Sequence, residues 1–139
     1  MPSSLLEWSV CSLLSLMMMS SGVPAMQSAH AQLEARALAL RGLTLLQAYQ
    51  ARARAQQRPI EVPLEDIRRA LKTDGWRFSS NYNDHSRPLI FYTPQGYARA
   101  GRLQMQKGDL QLNWIVSALG RVRYCNAGNV AIPSVSSCA

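Results

Sequence analysis

Apolar residues run from Leu5 to Met26 with only serines and Glu7 diluting them, and then thin into a helical spacing that lasts to Gln57. The first stretch is 22 residues long, which as a helix measures about 33 Å and crosses a bilayer core. From Ala25 to Gln57 the chain is rich in Ala, Leu, Gln and Arg, all good helix formers. Leu33, Leu40, Leu43, Leu46 and Tyr49 recur at helical spacing and define the expected buried face, with Arg36, Arg41, Arg52 and Arg54 mainly off it. Gly42 is a soft spot in this pattern, and Pro59 ends it. The pattern predicts one long helix, half apolar all round and half amphipathic, the second half lying on a small sheet with its arginines solvated. Whether Arg52, Arg54 and Arg58 belong to a basic surface depends on the fold.

Beyond Pro59 the elements become short. Ile60–Val62 suits a strand, and Pro63-Leu64-Glu65-Asp66 opens a short helix with acids in its first turn, ending at Asp74-Gly75. Trp76-Arg77-Phe78 alternates as a strand does, and Ser79–Pro88 reads as a loop that holds an exposed His85. A period of two then takes over. It predicts strands at Leu89–Thr93, Arg102–Gln106, Leu110–Val116 and Arg121–Cys125, separated by turns at Pro94-Gln95-Gly96, Lys107-Gly108-Asp109 and Ser117–Gly120. Leu110, Leu112, Trp114 and Val116 share one face of their strand if it is regular, though Ile115 breaks the strict alternation. The expected fold is α+β: a membrane-spanning segment over 1–26, its amphipathic continuation over 27–58, and a globular unit over 59–139 that ends in an antiparallel meander.

Charge and cysteines sharpen this picture. The net charge is +7, and Glu7 is the only charged residue among the first thirty, so the remainder carries +8. Such an excess suits polyanions or anionic headgroups, and equally serves solubility. Cys125 and Cys138 lie thirteen apart around a segment rich in Gly, Asn, Ser and Pro. A disulfide closing that loop implies an oxidising compartment. Cys11 reads as a small apolar residue of the first segment. Neither His30 nor His85 has metal-ligand spacing, and no Ser, His, Asp or Cys constellation or phosphate-binding glycine loop supports catalysis, so neither a metal, a cofactor nor an enzymatic role is expected.

Within Gly120-Arg121-Val122-Arg123-Tyr124-Cys125, a strand puts Arg121 and Arg123 on one face and Val122 on the other. Two guanidiniums about 6–7 Å apart can straddle successive phosphates. The same arginines also suit a solvated sheet edge that resists pairing with another chain.

Glu7 is the other residue that asks for a role, since a carboxylate in hydrocarbon costs roughly 2.5–3.5 kcal/mol. A cleaved secretory signal ending at Ala29-His30-Ala31 and a plain anchor are two readings of its segment. A third comes from resemblance. Ser3-Ser4-Leu5-Leu6-Glu7, the apolar run, and Pro24 seventeen positions after Glu7 resemble the N-terminal helix of type IV pilins and pseudopilins. Pro2 and Ser3 stand where that family has a leader glycine and usually Phe, so the family's cleavage and N-methylation do not carry over on these residues. Trp114-Ile115-Val116-Ser117, Gly120-Arg121-Val122-Arg123 and Cys125, with Leu89–Gly96, look like the GspH/FimT family of minor pilins.

The resemblance covers both ends of the chain and is poor from Ile60 to Asp84. It implies a long helix packed on a small sheet and a single-pass protein of the bacterial inner membrane with a periplasmic or tip-located domain. Glu7 and Pro24 would serve assembly with other pilin or pseudopilin subunits. Gly120, Arg121 and Arg123, with Arg99, Arg102 and Lys107 near them, would bind double-stranded DNA during uptake. The alternative is a pseudopilin of type II secretion that works through protein contacts alone.

Overall fold

The chain, a computed structural model, is described over residues 2–92 and 96–138. Its first helix, α1, runs from Pro2 to Gln56, passing through Pro24. It is long and apolar enough to cross a membrane, and the described side chains from Leu5 to Ser20 are exposed. The serines that dilute this half turn their hydroxyls inward: Ser9 Oγ donates to the Leu5 carbonyl (2.9 Å), Ser12 Oγ to Trp8 (2.8 Å) and Ser20 Oγ to Met17 (2.9 Å). Back-bonding of this kind satisfies polar groups inside the helix itself, which is what a hydrocarbon environment demands. Glu7 and Cys11 are exposed on the same half. The helix ends where Gln57 takes a left-handed conformation (φ 49°), two residues before Pro59.

The second half of α1 is the spine of the domain; of its expected face Leu46 is buried and Tyr49 packs on the core, but the rest of the buried face differs. Ala35, Leu38, Ala39, Gly42, Leu46 and Ala53 face the sheets, whereas Leu33 and Leu40 remain 60% and 45% exposed. The reason is the bulk opposite. The Trp114 indole lies across the helix at Gly42, where a Cβ would come within 2.4 Å of the ring, and its Nε1–H donates to the Ala39 carbonyl (2.9 Å). A helix face of alanines and a glycine accepts an indole that a leucine face would push away.

After α1 the chain forms β1 (Ile60–Val62), α2 (Leu64–Ala70), β2 (Arg77–Ser80), β3 (Leu89–Phe91), β4 (Gly101–Lys107), β5 (Leu110–Val116) and β6 (Val122–Asn126). β1 and β3 pair as a two-stranded antiparallel sheet, and the remaining strands form a second antiparallel sheet in the order β2-β4-β5-β6. α1 touches β1, β3, β5 and β6 and so bridges both sheets. Leu38 and Leu46 meet Val62, Ile67, Leu71, Leu89, Phe91, Leu103, Leu112 and Val116 in one core. The predicted side of β5 holds: Leu110, Leu112, Trp114 and Val116 are all buried.

Several boundaries move. The meander is real only from β4 to β6. β3 leaves it for β1, and the place beside β4 goes to β2, with Phe78 opposite Met105. β2 continues through Ser80, where the sequence suggests a loop from Ser79, because Ser80 Oγ and Asn81 Oδ1 bond the Arg102 backbone and hold the strand on β4. α2 stops at Ala70, well before Asp74-Gly75. Arg121 lies just ahead of β6. Thr93, Pro94 and Gln95 of the anticipated strand end and turn fall outside the described residues.

The last residues close over the bottom of β6. Asn126 organises them: its backbone N–H donates to Ser136 (2.7 Å), its Nδ2 to Val130 (2.7 Å), and its carbonyl accepts from Cys138 N–H (3.0 Å). The Cys125–Cys138 disulfide is present, with Cα atoms 4.9 Å apart, and Ile132 is buried beneath the loop. A loop of this length restricts the unfolded chain by about 3 kcal/mol. Replacing both cysteines by serine is therefore expected to lower the unfolding free energy of the detergent-solubilised chain in urea by that amount, with the reduced parent matching the variant.

Candidate nucleic-acid interface

The turn from β5 to β6 is built around Gly120. Its N–H donates to the Ser117 carbonyl (3.0 Å), Ser117 N–H donates to Arg121 (2.9 Å), and Ser117 Oγ accepts from Arg121 N–H (3.1 Å). Gly120 is buried, has φ +84°, and lies so close to Gly96 that a Cβ would come within 1.8 Å of the Gly96 carbonyl oxygen. From α1, Gln50 Nε2 donates to the Gly120 carbonyl (2.6 Å) and to that of Gly96 (3.4 Å). The turn is thus pinned to both the helix and the β3–β4 connection. Leu119 projects from its tip, 76% exposed.

This pinned turn fixes Arg121 and Arg123. Both are exposed, Val122 between them packs toward the core, and half-buried Tyr124 packs there too. Arg123 pairs across the sheet with Ile115, which in turn pairs with Arg102. The three share the face of the sheet away from α1, so Arg102 and Arg123 flank Ile115 at about 10 Å, two strand spacings. Arg121, just ahead of β6, lines an open groove with Gln47, Gln50, Arg54 and Leu119 at the edge of the sheet next to α1. The sequence alone leaves Arg54 undecided; α1 delivers it here, its guanidinium against Gly96. Among the described residues none of Arg54, Arg102, Arg121 and Arg123 is paired with a carboxylate.

Other residues named from the sequence lie elsewhere. Lys107 is on the opposite face of β4, where its Nζ sits 3.6 Å from Glu34 Oε1 on α1, so it does not join the arginine row. Arg99 is half-buried, its Nη1 donating to the Pro88 carbonyl (3.5 Å). Its own carbonyl accepts from the Tyr82 hydroxyl (2.6 Å). Burial pushes that phenol well above its ordinary range, against the opposing pull of Arg87 and Arg99, so it stays a donor. Arg99 is a scaffold residue for β4 more than a free cation. Glu7 and Pro24 sit in the apolar half of α1, and Cys125 and Cys138 form the disulfide. A second basic surface, not evident from the sequence pattern, lies on α2 and β2, where Arg68, Arg69, Lys72 and Arg77 gather around Trp76 and Phe78. The spacing of Arg68, Arg69 and Lys72 is its visible signal, and only the placement of β2 adds Arg77.

Chemically, these arginines offer bidentate donors held by the sheet and its turn, with no carboxylate paired to them among the described residues. That suits phosphate oxygens, which need charge and geometry and no base recognition. No protein family, curated protein or solved structure matches the chain.

Proposed function

We propose that this chain is a membrane-anchored minor pilin or pseudopilin, structural and not catalytic, whose membrane-distal end binds double-stranded DNA without sequence preference. The observation that carries the DNA reading is the set of exposed, uncompensated arginines at this end of the domain: Arg102 and Arg123 on the outer sheet face, and Arg121 with Arg54 in the adjoining groove. Three further features support the whole. The apolar half of α1 has the length of a membrane span. Gln50, which holds the arginine turn, lies twenty-four residues past Met26, so the row stands about 36 Å along the helix from the end of that span. The disulfide suits a domain on the oxidising side. In this reading Glu7 is an assembly residue, meeting a cationic group on a neighbouring subunit inside the membrane.

Mobility shift of duplex DNA by the full chain in neutral detergent tests the DNA reading. With about three phosphates engaged, the log–log salt slope is expected near −2.7. R121Q/R123Q is expected to weaken binding more than about tenfold and to reduce the slope to about −0.9, whereas K107Q leaves both unchanged because Lys107 faces α1. A double variant that keeps the parent's affinity and slope removes the arginine row from consideration, and leaves the type II secretion alternative without a rival.

A further inference from the structure

The second basic surface lies at the other end of the domain. Glu34 marks the height: it follows Met26 by eight residues, about 12 Å along α1. Trp76 Nε1 donates to Glu34 Oε1, and Lys107 reaches the same carboxylate. Both contacts tie the start of β2 and the end of β4 to the part of α1 just beyond its apolar half. Between α2 and β2 at this level is an open cleft of about 510 Å³. Its floor is Trp76, Phe78 and Met105, and its rim is Arg68, Arg69, Lys72 and Arg77. Arg68 lies 5.5 Å over the Phe78 ring and pairs with Glu65 at 3.1 Å. Among the described residues the other three cations have no carboxylate partner, and Glu65 is the only acid lining the cleft; Asp74 and Asp109 lie in turns outside it.

We infer that this cleft docks the anionic phospholipid headgroups of the leaflet from which α1 emerges. Headgroups extend about 5–7 Å beyond the hydrocarbon, and a helix tilted about 20° lowers the cleft further toward them. Long arginine and lysine side chains span the remaining distance, within a Debye length of about 8 Å. An apolar floor with an indole and a cationic rim suits a headgroup that carries a phosphate above its glycerol. The consequence is orientation: the domain is held with its cleft toward the membrane and its arginine row away from it. The inference rests on the membrane-anchored reading and is independent of DNA binding.

The test uses the full chain in neutral detergent, titrated with short-chain phosphatidylglycerol, phosphatidylcholine or inorganic phosphate, and reads retained adducts by native mass spectrometry. Each cation near an anionic surface accounts for about a fivefold change in binding. Phosphatidylglycerol is therefore expected to be preferred over phosphatidylcholine by about a hundredfold, and R69Q/K72Q/R77Q to lose that preference. These side chains are exposed. R121Q/R123Q keeps the preference, because its charges are at the distal end. Equal retention of the two lipids overturns the proposal, as does equal loss in both variants. Displacement by inorganic phosphate at matched concentration also overturns it, by making the cleft a free-anion site. Carbonate extraction of cell membranes separates this from the anchor itself: a chain that stays in the pellet without lipid preference keeps the anchor and sinks only the cleft, while a soluble chain sinks both.

Discussion

Trp114→Ala is expected to remove about 4 kcal/mol of domain stability, enough to leave the fold marginal. The indole is completely buried at the centre of β5. Its loss leaves a cavity against Gly42, where no side chain exists to fill it, and frees the acceptor at Ala39. Gly42→Ala should fail in the opposite sense. Its Cβ would meet the ring atoms Cε2, Nε1 and Cζ2 at 2.4–2.7 Å, and a packed indole cannot swing away as the tip of a flexible chain can, so overpacking of about 1–3 kcal/mol follows. The two defects compensate. In the double variant the added methyl enters the vacated space, and the destabilisation should fall short of the sum of the single variants by about 1 kcal/mol or more. Urea unfolding followed by far-UV circular dichroism measures all three. Strict additivity would show that Trp114 does not rest on the helix at Gly42.

That pair also shows what is legible in the sequence. The period-two pattern locates β5 and its core face although Ile115 breaks the strict alternation; that Asn113 on the other face is also buried is not legible from it. The single long helix is equally plain, because nothing between Leu5 and Gln57 breaks it except Pro24, a residue that membrane helices tolerate. The buried face of α1 is not legible in the same way. Leucine spacing favours Leu33 and Leu40, but the sheet presents an indole, and the helix meets it with Ala35, Ala39 and Gly42. Complementary volume is a property of two surfaces, invisible from one. Strand pairing escapes the sequence for a related reason: β1 and β3 are separated by the whole of α2 and β2, and local pattern does not report which distant edge a strand will take.

The arginine site is half legible. Arg123 follows from alternation and Arg102 joins it through the register with Ile115, whereas Arg121, expected on the same strand, falls just ahead of it. Lys107 looks equivalent to Arg102 in sequence, yet an odd separation along one strand puts the two on opposite faces. The result is a domain with cationic surfaces at both ends, one free on the outer sheet face and one around the cleft near the start of α1's solvated half. A uniformly basic protein would make its net charge uninformative. Here the same excess of positive charge is sorted into two places with different neighbours, so the two can be removed separately by substitution.

Gly120→Ala is expected to cost about 4 kcal/mol, for two reasons that add. An L-residue at φ +84° bears about 1–2 kcal/mol of backbone strain. The larger effect is steric. With the Gly96 carbonyl oxygen 1.8 Å from the added Cβ, the β5–β6 turn and the Gly96 segment must part, and the Gln50 amide then loses acceptors on both. Each half-buried polar group left without its partner costs about 1–3 kcal/mol. A glycine needed only to relax a turn would behave differently, because asparagine, which tolerates the left-handed region, would then substitute well. Close approach to Gly96 makes Gly120→Asn nearly as damaging as Gly120→Ala. By contrast Gly108, which also has positive φ but open space within 4 Å of where a Cβ would stand, should accept asparagine with little loss. Comparing the asparagine variants at both positions by thermal unfolding, and then by DNA mobility shift under folding conditions, separates the two roles. If Gly120→Asn unfolds like the parent, the turn is not pinned to Gly96. If it is destabilised as expected, DNA binding by the fraction that remains folded should weaken as well, because Arg121 takes its direction from the turn that Gln50 and Gly96 hold in place.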